Sequence, residues 1–211
     1  MGTEKRSGYL IIGGGGFGQE LYGLLSETGW PVAGFVDTHE TEVIRSTGRP
    51  YLGTDDELER LRSRCTGAFI ALGALEKRHR IFEHLKALDY AVPRFIHPRA
   101  YVSGTAAVQD GALVYPHATL HHNVGVGRCV LVNSNVSVGH DTICGDFTTL
   151  NPNAAVAGRV AIGSRVMVGM GAAIIENLSV CDDAVIGAGA VVAAAITTPG
   201  VYVGVPARKR Q

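Results

Sequence analysis

A six-residue repeat fills the second half of the chain and restricts it to a narrow set of folds. Every sixth residue from Ile96 to Val192 is apolar, without exception over seventeen hexads. A second column four places later, from Ala100 to Ile196, holds only small or branched residues. Self-similarity at a fixed period is typical of solenoids, in which no single repeat can bury its apolar face alone.

The hexads predict short, flat strands separated by turns. Three such strands would close one triangular coil of 18 residues, and stacked coils would pair each strand with its equivalents in the coils before and after it. Seventeen hexads give between five and six coils. Glycines recur beside the turns, and we expect them at corners where branched side chains would be strained. They are Gly127, Gly139, Gly145, Gly163, Gly169 and Gly187.

The first 93 residues follow a different pattern, in which strand-like runs alternate with helical ones. Strands are expected at 8–14, 31–37 and 64–73, and helices at 18–29 and 75–90. Strand and helix in alternation predict a small parallel sheet. We therefore expect two domains: residues 1–93 as a small α/β domain of βαβ, half-Rossmann-like type, and residues 94–211 as a β-helix.

Composition and charge exclude several classes of function. Nineteen Lys and Arg balance nineteen Asp and Glu, so no basic field favours nucleic acid as a partner. No run of about 18 apolar residues could span a membrane, and the N-terminal stretch lacks the cleavage site of a signal peptide. The four cysteines have no CxxC spacing, which favours reduced thiols and a cytoplasmic location.

A glycine-rich segment follows the first predicted strand and opens the first predicted helix. Gly13, Gly15 and Gly18 have GxGxxG spacing, and Asp37 ends the next strand 19 residues later. About 90 residues form only half of a doubly wound domain, which favours a mononucleotide site. Backbone N–H groups at the helix N-terminus can bind the diphosphate of a nucleotide sugar; Gly13 and Gly14 equally fit a plain turn. The substrate-binding candidates here are Gly14, Gly15, Gly16, Phe17, Asp37, Thr38, Gly53 and Gly73.

His140 and Asp141 lie side by side within the repeat. His140 occupies the third place of its hexad, outside the inward column, so we expect it at a corner that faces solvent or a neighbouring subunit. An 18-residue coil places it above His122 and below Gly158. Histidine suits proton transfer, a neighbouring carboxylate can orient the ring, and the Gly158 N–H can stabilise an oxyanion. A solvated corner residue is the alternative interpretation of each of the two side chains.

Several segments taken together resemble the hexapeptide-repeat acyltransferases; they are residues 11–21, 34–37, 51–58, 95–100, 130–152 and 201–208. Within that group the chain is similar to sugar N-acetyltransferases of the bacillosamine-pathway type and to sialic-acid O-acetyltransferases, the NeuD/PglD-like proteins. The resemblance implies a left-handed parallel β-helix after the βαβ domain. It also implies acetyl-CoA as co-substrate, no metal, and a homotrimer with active sites between subunits.

The resemblance assigns roles to particular residues. The match of His140 is the general base, Asp141 assists it, and the match of Asn133 lies near the acceptor amine. Thr149 stands where some members have a histidine that contacts acetyl-CoA, and Phe17 where related proteins often have histidine. The coenzyme-binding candidates are Thr149, Gly158, Met170, Ala188, Arg208 and Lys209.

The leading hypothesis is an acetyl-CoA-dependent N-acetyltransferase that acts on a nucleotide-diphosphate-linked amino sugar of the 4-amino-4,6-dideoxy type, by direct attack with His140 as base. O-acetylation of sialic acid or a similar sugar is the nearest alternative. His117 and His122, five residues apart, resemble a ligand pair of β-helical carbonic anhydrases, so a zinc lyase is the alternative of a different class. A noncatalytic scaffold that binds nucleotide sugars is the third.

Overall fold

The computed structural model describes residues 8–210, and the chain divides into two units between Pro93 and Arg94. The N-terminal stretch interpreted above as lacking a signal peptide includes residues 1–7, which lie outside the described residues. Within the described range, no helix has the length and apolar character needed to cross a membrane.

The first unit is a three-stranded parallel sheet with helices in its connections. The strands are β1 (Tyr9–Ile12), β2 (Val32–Val36) and β3 (Gly67–Ile70), in the order β2-β1-β3. The helices are α1 (Gly16–Glu27), α2 (Glu42–Ser46), α3 (Leu58–Leu61) and α4 (Leu75–Ala87), with a 3-10 turn at Asp55–Glu57. The predicted alternation of strand and helix is confirmed. The short helices α2 and α3 were not predicted, because four or five residues are too few to show an apolar period.

Helix α4 ends earlier than its apolar pattern predicts. The helix stops at Ala87, Asp89 takes a left-handed φ of 60°, and the Tyr90 N–H donates to the Leu85 oxygen at 2.9 Å. The buried Tyr90 hydroxyl donates to the Leu58 oxygen at 2.6 Å, and burial raises the pKa of Tyr90 to about 12. The apolar spacing continues to Tyr90 because this residue stays in the core after the helix has ended.

The second unit is a parallel β-helix of mostly two-residue strands. Its strands are β4 (Phe95–Ile96), β5 (Tyr101–Val102), β6 (Ala107–Val108), β7 (Leu113–Val114), β8 (Thr119–Leu120), β9 (Gly125–Val126), β10 (Leu131–Val132), β11 (Ser137–Val138), β12 (Ile143–Cys144), β13 (Thr149–Leu150), β14 (Ala155–Val156), β15 (Ala161–Ile162), β16 (Met167–Val168), β17 (Ala173–Ile174), β18 (Ser179–Val180), β19 (Ala184–Ile186), β20 (Val191–Val192), β21 (Gly200–Val203) and β22 (Arg208–Lys209). Leu131 pairs with Leu113 below it and Thr149 above it. The predicted 18-residue coil is therefore confirmed.

Three sheets form the sides of the β-helix. Face 1 runs from β4 through every third strand to β19 and is extended by β21 and β22, face 2 runs from β5 to β20, and face 3 runs from β6 to β18. Both predicted columns point inward, and between Ala112 and Ile196 all their members are buried except the partly buried Leu178. Burial of a Val or Leu side chain contributes about 1.5–3 kcal/mol. Stacking of the coils thus supplies the stability that a single coil lacks.

The six glycines lie at the corners, as predicted, but the strain that a side chain would meet there does not come from a left-handed backbone. None of the six glycines predicted to relieve strain has a φ in the left-handed region. They are needed for close approach instead: a Cβ on Gly139 would lie 2.6 Å from backbone atoms of Ala157 and Gly158 in the next coil. The left-handed residue is instead the third residue of the four-residue turn, as at Asp141 (φ 58°) and Asn153 (φ 61°). Asp and Asn adopt this conformation at lower cost than most residues.

Replacement of Gly145 by Ala should destabilise the β-helix, since the added Cβ would lie 2.5 Å from the backbone carbon of Gly163. Backbone cannot move aside as a flexible side chain can, so we expect a loss of about 1–3 kcal/mol in the free energy of unfolding. Gly104→Ala is the matched control, because nothing lies within 4 Å of its added Cβ. Chemical denaturation at equal protein concentration checks the prediction, and equal stability of the two variants would contradict it.

Candidate functional site

His140 lies in the turn after β11, at the corner that joins face 2 to face 3. Its backbone is held on both sides, because the Arg159 N–H donates to its oxygen at 2.8 Å and the next amide, that of Asp141, donates to the His122 oxygen at 2.9 Å. Its side chain is half exposed. This is the corner position that the hexad register predicts. The His140 corner, as we call it, comprises the turns at 121–124, 139–142, 157–160 and 175–178.

Asp141 is the left-handed residue of the same turn, and its carboxylate has two partners. Oδ2 lies 2.8 Å from Nδ1 of His140, and Oδ1 accepts from Nδ2 of Asn123 at 3.0 Å. The hydrogen bond from His140, followed by that from Asn123, lowers the pKa of the Asp141 carboxyl. An ionised carboxylate can only accept, so in the neutral form of His140 this geometry places the proton on Nδ1 and the lone pair on Nε2.

The Nε2 edge of His140 lies against Gly158, one coil further on. A Cβ built on Gly158 would lie 2.7 Å from Nε2 and 2.9 Å from Cε1, so only glycine allows the imidazole this close. Within residues 8–210, the Gly158 N–H has no hydrogen-bond acceptor. A ring nitrogen with a lone pair and an available backbone donor therefore belong to adjacent turns. That combination suits proton removal beside a developing negative charge.

Asn123 is a site residue that the sequence analysis did not assign. It holds the left-handed place one coil before Asp141, with a φ of 56°. Its N–H donates to Oγ1 of Thr105 at 3.0 Å, and the same oxygen lies 2.9 Å from Nδ1 of His122. The 18-residue register places Asn123 beside Asp141, but Asn suits a left-handed corner for backbone reasons alone. Only the side-chain geometry distinguishes the two explanations.

Three predicted site residues of the β-helix, Asn133, Met170 and Ala188, lie at a different corner, between face 1 and face 2. Oδ1 of Asn133 accepts from the Ser134 N–H at 2.9 Å, and Met170 is 58% exposed. Face 2 separates this corner from the His140 corner, so within one chain these residues do not meet His140. The Met170 corner, as we call it, comprises the turns at 115–118, 133–136, 151–154, 169–172 and 187–190.

Thr149, Arg208 and Lys209 are the other predicted coenzyme contacts. Thr149 is buried in face 1, with 5% of its surface exposed. Arg208 and Lys209 form the exposed strand β22, which pairs antiparallel with β21. Strand β21 in turn accepts the Gly187 N–H at 2.7 Å. The C-terminal hairpin is thereby fixed beside the Met170 corner.

In the first unit, Asp37 is bonded directly to the glycine-rich turn after β1. Its Oδ2 accepts from the Gly14 N–H at 2.6 Å, and its Oδ1 accepts from the Thr38 N–H at 2.6 Å. The hydroxyl of Thr41 also donates to the Gly14 oxygen at 2.6 Å, and a Cβ on Gly14 would clash with Ile44. Packing therefore requires glycine at this position, and its amide is already engaged. Of the turn amides predicted to contact a diphosphate, that of Gly14 is thus bonded to Asp37 instead.

Gly15 and Gly16 differ from the other glycines of this turn. Gly13 has a φ of 112°, and a Cβ on Gly18 would clash with the Gly13 oxygen, so the fold requires both glycines. Nothing lies within 4 Å of a Cβ on Gly15 or Gly16. These two residues begin α1, whose first turn has no acidic side chain, and helix N-termini attract anions. The open space here leaves room for a phosphate group.

A cleft at the carboxyl ends of the strands contains further candidates. It is lined by Asp37 and Thr38, as predicted, and by Asp55, Lys77 and Arg80, which the sequence analysis did not assign. Ligands of parallel α/β sheets bind at this edge. The sequence could have indicated Lys77 and Arg80, because both lie near the N-terminal end of the predicted helix 75–90. That end follows β3 and therefore lies at the carboxyl edge of the sheet.

The remaining predicted residues of the first unit have less direct support. Gly53 does not end a strand, because the chain before it forms only a single bridge between Tyr51 and Phe35; its oxygen accepts the Asp37 N–H at 3.1 Å. Gly73 is exposed between β3 and α4, and Phe17 is half-buried in the first turn of α1.

The histidine pair considered as zinc ligands does not converge within one chain. His117 belongs to the Met170 corner and His122 to the His140 corner, with β8 between them. Nδ1 of His122 contacts Oγ1 of Thr105. Among residues 8–210, no three His, Cys, Asp or Glu side chains form a group that could hold a metal ion.

The fold and the site define a hexapeptide-repeat β-helix with a histidine–aspartate pair at one corner, preceded by a βαβ unit with a glycine-rich turn. Residues 9–85 match the family model of the PglD N-terminal domain. No curated protein matches the sequence.

Three solved structures are similar to the whole chain. A variant of perosamine N-acetyltransferase from Caulobacter crescentus, with one histidine changed to asparagine and with CoA and GDP-perosamine bound, has a TM-score of 0.93 and 29% identity over 97% of both chains. The acetyltransferase domain of PglB from Neisseria gonorrhoeae, in complex with acetyl coenzyme A, has a TM-score of 0.88 and 27% identity over 98% of this chain and 100% of that chain. WeeI from Acinetobacter baumannii, at 22% identity over 96% of this chain and 99% of that chain, shares the fold with a TM-score of 0.86. The predicted resemblance to hexapeptide-repeat sugar acetyltransferases and the left-handed parallel β-helix are confirmed.

The two hydrogen bonds on Asp141 contribute unequally to its lowered pKa, and the difference can be tested. His140→Phe should raise the pKa of Asp141 more than Asn123→Ala does, because the bond from His140 is the larger cause of its lowered value. Because the pKa of Asp141 is lowered in the folded protein, its ionised carboxylate stabilises the fold at pH values above the unfolded-state pKa. This stabilisation is lost as the pH falls through the folded-state pKa.

Carboxyl-carbon NMR titration of the three proteins measures these shifts. The pKa of Asp183, which Arg165 lowers, is the internal control and should not move in either variant. A larger rise in Asn123→Ala than in His140→Phe would contradict the prediction.

Proposed function

We propose that the protein is an acetyl-CoA-dependent N-acetyltransferase that acetylates the amino group of a nucleotide-diphosphate-linked amino sugar of the 4-amino-4,6-dideoxy type. The observation that carries this proposal is the His140–Asp141 pair, with Nδ1 on the carboxylate and Nε2 beside Gly158. Support comes from the similar solved structures, of which one holds CoA and GDP-perosamine and another acetyl coenzyme A.

The pair accounts for both proton movements of the reaction. As the sugar nitrogen attacks the thioester carbonyl carbon, Nε2 of His140 takes the proton that the nitrogen loses. The Gly158 N–H donates to the carbonyl oxygen as negative charge develops there. When the C–N bond has formed and the C–S bond breaks, the imidazolium returns its proton to the departing thiolate. Asp141 orients the ring and stabilises its protonated form.

In this proposal the first unit binds the nucleotide. Gly15 and Gly16 leave the start of α1 open for the diphosphate, as helix N-termini favour anions. Lys77 and Arg80 add positive charge to the cleft at the carboxyl ends of the strands, which Gly13 and Asp37 also line. Asp37 keeps further acceptor capacity beyond its bonds to the turn, which suits a ribose hydroxyl or a base.

We further propose a homotrimer whose active sites lie between subunits, in the cytoplasm. The separation of the Met170 corner from the His140 corner by face 2 supports shared sites, since a coenzyme that contacts both corners then needs two copies of the chain. The four cysteines are all free thiols, which supports a reducing compartment; cell fractionation tests this location.

Replacement of His140 by Ala should lower kcat by about 10²–10⁴-fold, because the attacking amine loses its proton acceptor. Asp141→Asn should lower kcat by less, since the ring stays in place but its protonated form loses a charge partner. Release of free thiol from acetyl-CoA, measured with nucleotide-linked 4-amino sugars and with free sialic acid as acceptors, checks both.

Asp183→Asn is the matched control, because Asp183 is also a left-handed corner residue with a lowered pKa but is bound to Arg165. It should keep the wild-type kcat. Near-normal turnover by His140→Ala refutes the assignment of the base, and activity only on a hydroxyl acceptor would establish O-acetylation instead.

Sedimentation equilibrium of the same samples should give the mass of three chains. A monomer with full activity contradicts the shared site.

Gly16→Ala should weaken nucleotide binding without loss of stability. The added Cβ meets nothing within 4 Å, and Ala favours a helix over Gly by about 1 kcal/mol, but its methyl group would occupy the space left for the diphosphate. We expect the Kd for a nucleoside diphosphate to rise about tenfold, or roughly 1.4 kcal/mol. Gly23→Ala, in the middle of α1 and equally open, is the control. Calorimetric titration with equal Kd values for both variants would exclude the glycine-rich turn as the site.

A further inference from the structure

Two buried hydroxyl groups interrupt the apolar interior of the β-helix. Thr142 and Thr148 belong to the inward column of small residues, where Ala and Val otherwise dominate, and both are 0% exposed. Burial of a hydroxyl is costly unless it is hydrogen-bonded. The partners of these two hydroxyls therefore indicate what the threonines contribute.

The hydroxyl of Thr142 closes a turn of the next coil. Its Oγ1 donates to the Ala157 oxygen at 2.9 Å and accepts from the Val160 N–H at 3.1 Å. In the turn 151–154, the corresponding bond is direct, from the Ala154 N–H to the Asn151 oxygen at 3.1 Å. In the turn 157–160, the Thr142 hydroxyl stands between the two backbone groups. The shape of this turn thus depends on a side chain from the coil before it.

That turn is the surface against which the His140 ring lies. It contains Gly158, whose Cα faces the Nε2 edge of the imidazole, and Arg159, whose N–H donates to the His140 oxygen at 2.8 Å. A change in the turn would move the Gly158 amide relative to Nε2. Thr142 itself is sealed inside the β-helix, with none of its surface exposed to solvent.

We propose that Thr142 is a positioning residue: its buried hydroxyl sets the shape of the turn 157–160 and so aligns the Gly158 amide with the His140 imidazole. This inference rests on the proposed function, in which those two groups act on the acetyl group together. It assigns to an interior side chain an effect on kcat, with no effect on substrate binding.

Thr148 provides a control within the same fold. Its Oγ1 donates to the Gly163 oxygen at 2.9 Å and accepts from the Val166 N–H at 3.1 Å, the same bonds one corner further on. No histidine lies in that turn, and no proposed site residue belongs to it. Removal of either hydroxyl should have a similar effect on stability, whereas only that of Thr142 should affect turnover.

The test compares Thr142→Val, Thr142→Ser and Thr148→Val. Val keeps the side-chain shape without the hydroxyl, and Ser keeps the hydroxyl without the buried methyl. We expect Thr142→Val to lower kcat by roughly ten- to a hundredfold, with both KM values unchanged, and Thr148→Val to retain kcat. Thr142→Ser should restore kcat although the lost methyl lowers its stability. Should Thr142→Val not fold, Thr142→Ala replaces it, since Ala occupies this column at 118 and 154.

Equal losses of kcat in Thr142→Val and Thr148→Val, or full activity of Thr142→Val, would overturn the proposal. Hydrogen exchange at the Val160 amide is the second readout: it should be faster in Thr142→Val than in the wild type and unchanged in Thr148→Val. If the wild-type protein transfers no acetyl group to any acceptor, the proposed function fails, and the exchange rates alone decide whether Thr142 holds the turn. Unchanged exchange at Val160 rejects the positioning role in either case.

Discussion

The structure of the second unit depends on the parallel hydrogen-bond register between coils, which sets each residue against those 18 positions before and after it. In this register inward residues meet only inward residues, so two apolar columns are enough to bury a continuous core. The same register builds the candidate site. Asn123, the His140–Asp141 pair and Gly158 come from three successive coils and form a vertical column. Each member is fixed by a neighbour one coil away.

The sequence was sufficient to predict this architecture because its two inward columns keep the six-residue period over the whole repeat. The inward columns, the coil length and the vertical neighbours of His140 all follow from counting. The conformation within each turn does not. A period shows that a corner exists and that glycine suits it, but it does not show which residue of the turn becomes left-handed. Gly139 is required by the approach of the next coil, while Asp141 takes the left-handed place.

In the first unit, a local motif predicted the turn but could not divide the roles of its glycines. The Gly14 N–H is bonded to Asp37, and Thr41 and Ile44 at the start of α2 contact the rest of this residue. A helix of five residues has too short a pattern to be read in advance. The sequence pattern also did not distinguish Thr142, because the inward column accepts any small or branched residue. Threonine satisfies that rule whether or not its hydroxyl closes a turn.

The open corner limits what the histidine–aspartate pair can achieve through electrostatic attraction alone. The two side chains are 50% and 46% exposed, and water screens an ion pair at such exposure. Orientation must then come from geometry, that is, from a carboxylate with two partners, a backbone held on both sides and a turn of fixed shape. Only the inner side of this corner is dry. A hydroxyl that must hold the turn without competition from water therefore has to project from the interior, and Thr142 is the His140-corner residue that does so. Precision at an exposed catalytic edge is thus supplied by the buried side of the same coil.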